Sequence, residues 1–163
     1  MSCCPRFALL TIAVLLGSSL SAEAASSLRY CSEGSPDGFG PQLTDSANTI
    51  DAVRPIFNRL VELKFGSTDL VPALAESWEV SSDGLAYTFH LRNGVKFQTT
   101  KSFTPTRSMN ADDVVFSFTR MLDKANPYHD VNGGSYPYFE GMGMPDTIKA
   151  VEKVDAMTVR ITL

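Results

Sequence analysis

The sequence is poor in the residues on which most chemistries depend. It has two histidines, and neither His90 nor His129 has a neighbouring context that pairs it with a base. No GxSxG, HExxH, CxxC, GxxxxGK[ST] or GxGxxG pattern occurs, so nucleophilic, metal, redox and nucleotide chemistry are left without a site. The run Gly133-Gly134-Ser135-Tyr136-Pro137 has the wrong order for a nucleophile elbow. Fourteen Lys and Arg stand against eighteen Asp and Glu, a net charge of -4, and the basic residues never cluster. That argues against a nucleic-acid partner or an anionic membrane surface. No internal repeat and no low-complexity tract is present.

Cysteine is scarce too, and its placement is informative. Arg6 gives a weak positive start, Phe7 to Leu16 is an apolar core, and Ala22-Glu23-Ala24 is a small-x-small cleavage signal. The apolar run is well short of the roughly 20 residues that span a bilayer, so residues 1–24 read as a secretory signal peptide and not as a membrane anchor. Cys3 and Cys4 precede the apolar core and leave with it. One cysteine, Cys31, then remains in a disulfide-permitting compartment, either as a buried free thiol or with its mate in sequence that this chain does not contain. At the other end Met157, Val159, Ile161 and Leu163 alternate with Thr158, Arg160 and Thr162. This is a strand still in progress at the last residue, which suggests a truncated product or partial reading frame.

What is present is a patterned globular sequence with ordinary apolar and charged content. Leu28 to Ser32 is expected to be a short opening strand, followed by a turn-rich loop from Glu33 to Pro41. Ile56, Leu60 and Leu63 have helical spacing, which predicts a helix from Pro55 to Leu63. After an entry at Ala75 to Val80, Asp83-Gly84 supplies a hairpin reversal, and Leu85 to Arg92 alternates as a half-buried strand. Asn93-Gly94 then predicts a further strand through Val95 and Phe97, giving a three-stranded meander.

At Met109 the period changes to that of a helix, with Asn110 as its cap and Val114, Phe118, Met121 and Leu122 on one face. Asp112 and Asp113 resemble an acid and base pair, but the first turn of a helix favours carboxylates and accounts for them without chemistry. Asn126 to Pro145 reads as a long aromatic, glycine-rich loop without periodicity. Its Tyr128, Tyr136, Tyr138 and Phe139 suit either a ligand surface or a packed surface loop.

Three segments carry a family resemblance: Leu74-Ala75-Glu76-Ser77-Trp78-Glu79-Val80, Tyr87 through Val95 after Asp83-Gly84, and Asn110 through Phe118. They resemble the extracytoplasmic solute-binding proteins of peptide-importing ABC transporters, the family 5 group with dipeptide-, oligopeptide-, nickel- and haem-binding members. Tyr30 through Pro36, and the loop from Asn126 to Gly143, resemble the dipeptide-binding branch in particular.

The resemblance implies a mixed α+β (α/β) fold, the N-terminal part of lobe I of a two-lobed, type II periplasmic-binding-protein clamshell, incomplete in this chain. On that reading residues 25–57 start lobe I, with the first strand and the ligand-facing loop, and residues 58–163 form a lobe I subdomain that is mostly scaffold. The resemblance implies that Asp45, Ser46 and Ala47 hold an extended peptide through backbone groups, in the manner of an added strand. Position 40 is Gly where the family usually has Asn or Asp. The groups that capture peptide termini, and the disulfide partner of Cys31, are implied to lie beyond position 163.

The expected function is capture of dipeptides in the periplasm for delivery to a membrane permease. The protein is expected to be a monomer, with no metal, no cofactor and no enzymatic activity. Haem or glutathione is the rival ligand within the family. A secreted hydrolase with catalytic residues beyond position 163 is the alternative from a different class.

Overall fold

The computed structural model describes Arg29 and residues 31–163, of which residues 32–163 form one compact unit. The expected signal peptide lies outside the described residues, as do Leu28 and Tyr30 of the expected opening strand. Arg29, Cys31 and Ser32 are described and are not in a strand.

A short helix α1 spans Ala47–Val53, and a two-stranded hairpin pairs β1 (Val61–Leu63) with β2 (Leu70–Pro72). A second sheet contains β3 (Ala75–Val80), β4 (Ala86–Leu91), β5 (Ala150–Asp155) and β6 (Thr158–Thr162). Its order is β3-β4-β6-β5, antiparallel throughout. Helix α2 (Ala111–Leu122) packs on the sheet, and a 3-10 turn (His129–Asn132) with two short helices, α3 (Pro137–Gly141) and α4 (Met144–Thr147), leads back to β5. The core lies between sheet and α2, where Leu91, Val114, Tyr136, Phe139, Val159 and Ile161 are buried.

The Asp83-Gly84 reversal and the β3-β4 hairpin form where alternation and turn chemistry place them. The expected third strand at Val95 and Phe97 does not form. The carbonyl of Val95 is taken by the N–H of Met109, and β4 finds its second neighbour in β6, where Tyr87 and Phe89 face Ile161 and Val159. The C-terminal alternation thus supplies the strand that the Asn93-Gly94 turn was expected to launch.

The expected helix over Pro55 to Leu63 is also absent. The helix lies upstream in α1, and Ile56 and Phe57 both return their N–H groups to the carbonyl of Val53, which closes it. Val61 and Leu63 instead face Pro72 and Leu70 across a hairpin. A pattern with apolar residues at both 3.6 and 2.0 spacing is ambiguous over so short a run, and the pairing partner decides it.

Helix α2 starts as its sequence requires. The Asn110 side chain accepts from Asp112 N–H at 3.0 Å, and Asp113 reaches back to Asn110 N–H at 2.9 Å, completing a capping box. Asp113 also receives Arg107 through both guanidinium nitrogens at 2.6 and 2.9 Å, while Asp112 is held by Lys153 of β5 at 2.9 Å. Both carboxylates are therefore engaged in structure. The stretch from Asn126 to Pro145, expected as an aperiodic loop, is folded into the 3-10 turn, α3 and α4. Pro137 and Pro145 stand in the first turns of α3 and α4, where a missing N–H is harmless, and Tyr136 and Phe139 anchor the segment in the core.

Candidate ligand-facing segment

Asp45, Ser46 and Ala47 stand together at the entry to α1, with Asp45 and Ala47 exposed and Ser46 half-buried. Ser46 occupies the capping position in an extended conformation, φ -67 and ψ 123, and its hydroxyl makes no cap hydrogen bond. The chain reaches it through a tight turn in which Leu43 N–H donates to the Gly40 carbonyl at 3.0 Å. The glycine at position 40 thus sits at the start of a formed turn.

The segment is braced from below by two buried hydroxyls. Thr44 Oγ1 accepts from Ser46 N–H at 3.0 Å, and Thr49 Oγ1 accepts from Asp37 N–H at 2.9 Å, pinning the preceding loop to the helix. Ser32 Oγ donates to Asn48 Oδ1 at 3.0 Å, and Gly34 approaches Asn48 so closely that a Cβ there would lie 2.7 Å from its Nδ2. Loop and helix are thus tied together, with Ser46 extended between the exposed Asp45 and Ala47. What such a segment can offer is backbone hydrogen bonding, because the N–H of Ala47 begins the helix and has no intrahelical acceptor.

His129 is buried, with Nδ1 at 2.9 Å from the Arg120 carbonyl, and lies beside the Tyr136 ring. That placement holds the imidazole inside the fold. His90 sits half-buried on β4 with Nε2 3.6 Å from Glu79 Oε1 on β3. Cys31 is exposed and its thiol is free, not buried. Tyr128 and Tyr138 are exposed, and Tyr128 meets Phe116 of α2 edge-on at 5.3 Å between ring centroids. Among the described residues no three His, Cys, Asp or Glu side chains converge as a metal site would require.

Two adjoining hollows escaped the sequence reading. One, of about 810 Å³, is apolar and lies over the sheet beside α2, lined by Phe57, Leu60, Phe89, Phe97, Phe103 and Phe118 among others. The other, of about 520 Å³, brings Arg54, Arg59 and Arg120 together. Its arginines are up to 66 positions apart in sequence, by subtraction of 54 from 120, so no local motif announces them.

The described residues thus form a small four-stranded antiparallel sheet backed by one capped helix, preceded by a segment braced by hydrogen bonds. Residues 69–163 match the family model of the bacterial extracellular solute-binding proteins, family 5. The chain belongs to that family. It is 61% identical over 140 residues to the dipeptide-binding protein of Escherichia coli (strain K12), covering 85% of this chain and 26% of that protein. It is equally 61% identical over 135 residues to heme-binding protein A of Haemophilus influenzae, covering 82% of this chain and 25% of that one. In three dimensions it superposes with a TM-score of 0.78 on the dipeptide binding protein from Pseudoalteromonas sp. SM9913 in complex with Met-Leu, at 43% identity over 82% of this chain and 27% of that structure. The chain thus spans about a quarter of the length of the relatives it matches. Its mixed α/β fold is a portion of the type II periplasmic-binding fold, and its likeness is to the dipeptide-binding branch.

Proposed function

We propose that this chain is part of the substrate-binding component of a peptide ABC importer, which captures dipeptides in the periplasm and delivers them to a membrane permease. The observation that carries the reading is the 61% identity to a dipeptide-binding protein. It is supported by the braced segment at Asp45, Ser46 and Ala47, with two of its three residues exposed, which suits an extended peptide added as a strand. The protein binds and releases its solute without turnover, acts as a monomer, and reaches the periplasm through cleavage of residues 1–24. Residues 25–57 carry the ligand-facing loop and residues 58–163 the supporting subdomain. The carboxylate and amine of the peptide are held by residues outside this chain, which also supply the partner of Cys31.

The test is calorimetry on a fusion that joins this chain, at its C-terminus, to the length of the E. coli dipeptide-binding protein beyond the matched region. Dipeptides are expected to bind it one to one with micromolar affinity or better, a cleft needing both of its walls. No heat with any dipeptide would sink the reading. A second reading, haem binding, draws on the equal identity to heme-binding protein A. A Soret shift on adding haemin to the same fusion, with no competition by dipeptides, would favour it.

A further inference from the structure

We propose that Asn93 is a site of spontaneous covalent modification: its side-chain amide closes onto the backbone nitrogen of Gly94, releases ammonia, and is opened by water to aspartate and isoaspartate. An Asn or Asp stands before glycine at Gly38, Gly84, Gly94 and Gly133, and glycine matters because it has no Cβ to crowd the ring closure. The fold separates these places. At Gly84 and Gly133 the attacking nitrogen is already engaged, donating to the carbonyls of Ser81 at 2.9 Å and Asp130 at 3.0 Å. The Asp83 carboxylate is held as well, by the Ser81 hydroxyl and the Leu85 N–H. Gly38 follows an aspartate, and a carboxylate, ionised at neutral pH, resists attack where a neutral amide does not. At Asn93-Gly94 no such obstacle stands. Both residues are exposed, and among the hydrogen bonds of the described residues none uses the Asn93 side chain or the Gly94 nitrogen. Gly94 has φ +73, and nothing lies within 4 Å of where a Cβ would project.

The step needs only water and hydroxide. The Gly94 nitrogen gives its proton to hydroxide and bonds to Cγ of Asn93, the Cγ–Nδ2 bond breaks, and ammonia leaves with a proton from water. Water then adds to one ring carbonyl or the other, with nothing oxidised or reduced. Opening at one side gives aspartate; opening at the other routes the main chain through the former side chain and lengthens it by a methylene. The turn that must absorb this methylene is clamped at both ends. On one side Arg92 donates from its N–H to the Leu74 carbonyl at 2.8 Å and from Nε to the Ala73 carbonyl at 3.1 Å. On the other a single bond, Met109 N–H to the Val95 carbonyl at 2.8 Å, ties the turn to the residue before the Asn110 cap of α2. The single bond is the one expected to open, so the modification loosens the entry to α2.

Peptide mapping by mass spectrometry measures it, on the 163-residue chain incubated at mildly alkaline pH, folded and in urea. In urea Asn93 and Asn132 are expected to turn into acids at similar rates. In the folded chain Asn93 is expected to keep its rate, while Asn132 slows by about tenfold, the worth of the backbone hydrogen bond that Gly133 retains. Gly94→Ala is expected to slow conversion at Asn93 by about tenfold in urea, where the added Cβ acts without any effect on the fold. Hydrogen exchange on the aged, folded chain should show Met109 N–H losing protection, and the equally aged Asn93→Gln chain should keep it. Conversion of Asn132 as fast as Asn93 in the folded chain would overturn the proposal, as would slowing of Asn93 on folding to the same degree as Asn132. Full protection of Met109 in material that carries isoaspartate at position 93 would overturn the loosening of α2.

Discussion

The hydroxyl of Tyr136 donates to the carbonyl of His129 at 2.8 Å, and the same oxygen accepts from Arg120 Nε at 3.2 Å. The Arg120 carbonyl is in turn taken by His129 Nδ1 at 2.9 Å. Three residues spread over sixteen positions thus close a buried ring that clamps the aromatic stretch onto the end of α2. Tyr136 is 1% exposed and His129 is buried, so loss of the hydroxyl leaves the His129 carbonyl without this donor inside the fold. Tyr136→Phe is expected to cost about 1–3 kcal/mol, the penalty of stranding buried polar groups. Urea unfolding should show a lower midpoint at unchanged slope. A midpoint equal to that of the parent would show that the ring contributes nothing.

The start of α2 should respond to pH through Asp113. Burial pushes its carboxyl upward, but the Arg107 hydrogen bond, the Asn110 N–H and the Arg107 charge outweigh that and hold it below the ordinary value of 3.8. A carboxyl depressed in the folded state stabilises fully above its unfolded value and loses that contribution as pH falls through the folded one. Stability should therefore decline below about pH 4, and Asp113→Asn should flatten the decline while lowering stability at pH 7. Thermal midpoints from pH 7 to pH 3 check this, and parallel profiles for parent and variant would refute it.

The β3-β4 turn gives a graded test. Gly84 has φ +74 and its N–H donates to the Ser81 carbonyl at 2.9 Å, while nothing lies within 4 Å of where a Cβ would project. Only backbone strain opposes a side chain there. Gly84→Ala is expected to cost about 1 kcal/mol, Gly84→Val more and Gly84→Asn less, in the order of tolerance for left-handed backbone. Chemical denaturation of the three variants would expose any other order.

That turn was legible in the sequence because Asp-Gly dictates its own geometry, and the same holds for the cap of α2, where Asn110, Asp112 and Asp113 act on neighbours within one turn. What was not legible depended on partners distant in sequence. Val95 and Phe97 have the alternation of a strand, yet the place beside β4 goes to Thr158–Thr162, more than sixty residues on. Leu63 fits a helical spacing with Ile56 and Leu60 and a strand spacing with Val61, and only the pairing with Leu70 to Pro72 decides between them. The aromatic stretch looked irregular because its two helices are single turns, too short for any period to register. Of the candidate segment, the resemblance pointed to Asp45 to Ala47; the Thr44 bond to Ser46 is local, whereas the Thr49 bond to Asp37 and the arginine hollow arise from contacts between separate stretches of chain.

The role proposed for the 45–47 backbone is open to a substitution that removes one proton donor and little else. Ala47 is the first residue of α1, where proline is favoured because its N–H has no intrahelical partner and its fixed φ suits the helix. Ser46 before it already has φ -67 and ψ 123, the extended range that a residue preceding proline requires. Ala47→Pro in the fusion should leave the thermal midpoint within about 1 °C of the parent, on the order of 1 kcal/mol for a chain of that length. If the Ala47 N–H bonds a peptide carbonyl, dipeptide affinity should nevertheless fall at least tenfold, the loss of a bond worth about 1.4 kcal/mol. Ala47→Gly, which keeps the N–H, should bind like the parent. Undiminished affinity in the proline variant would remove this backbone group from the ligand contacts, whereas a lost midpoint would show that α1 does not tolerate the substitution its geometry allows.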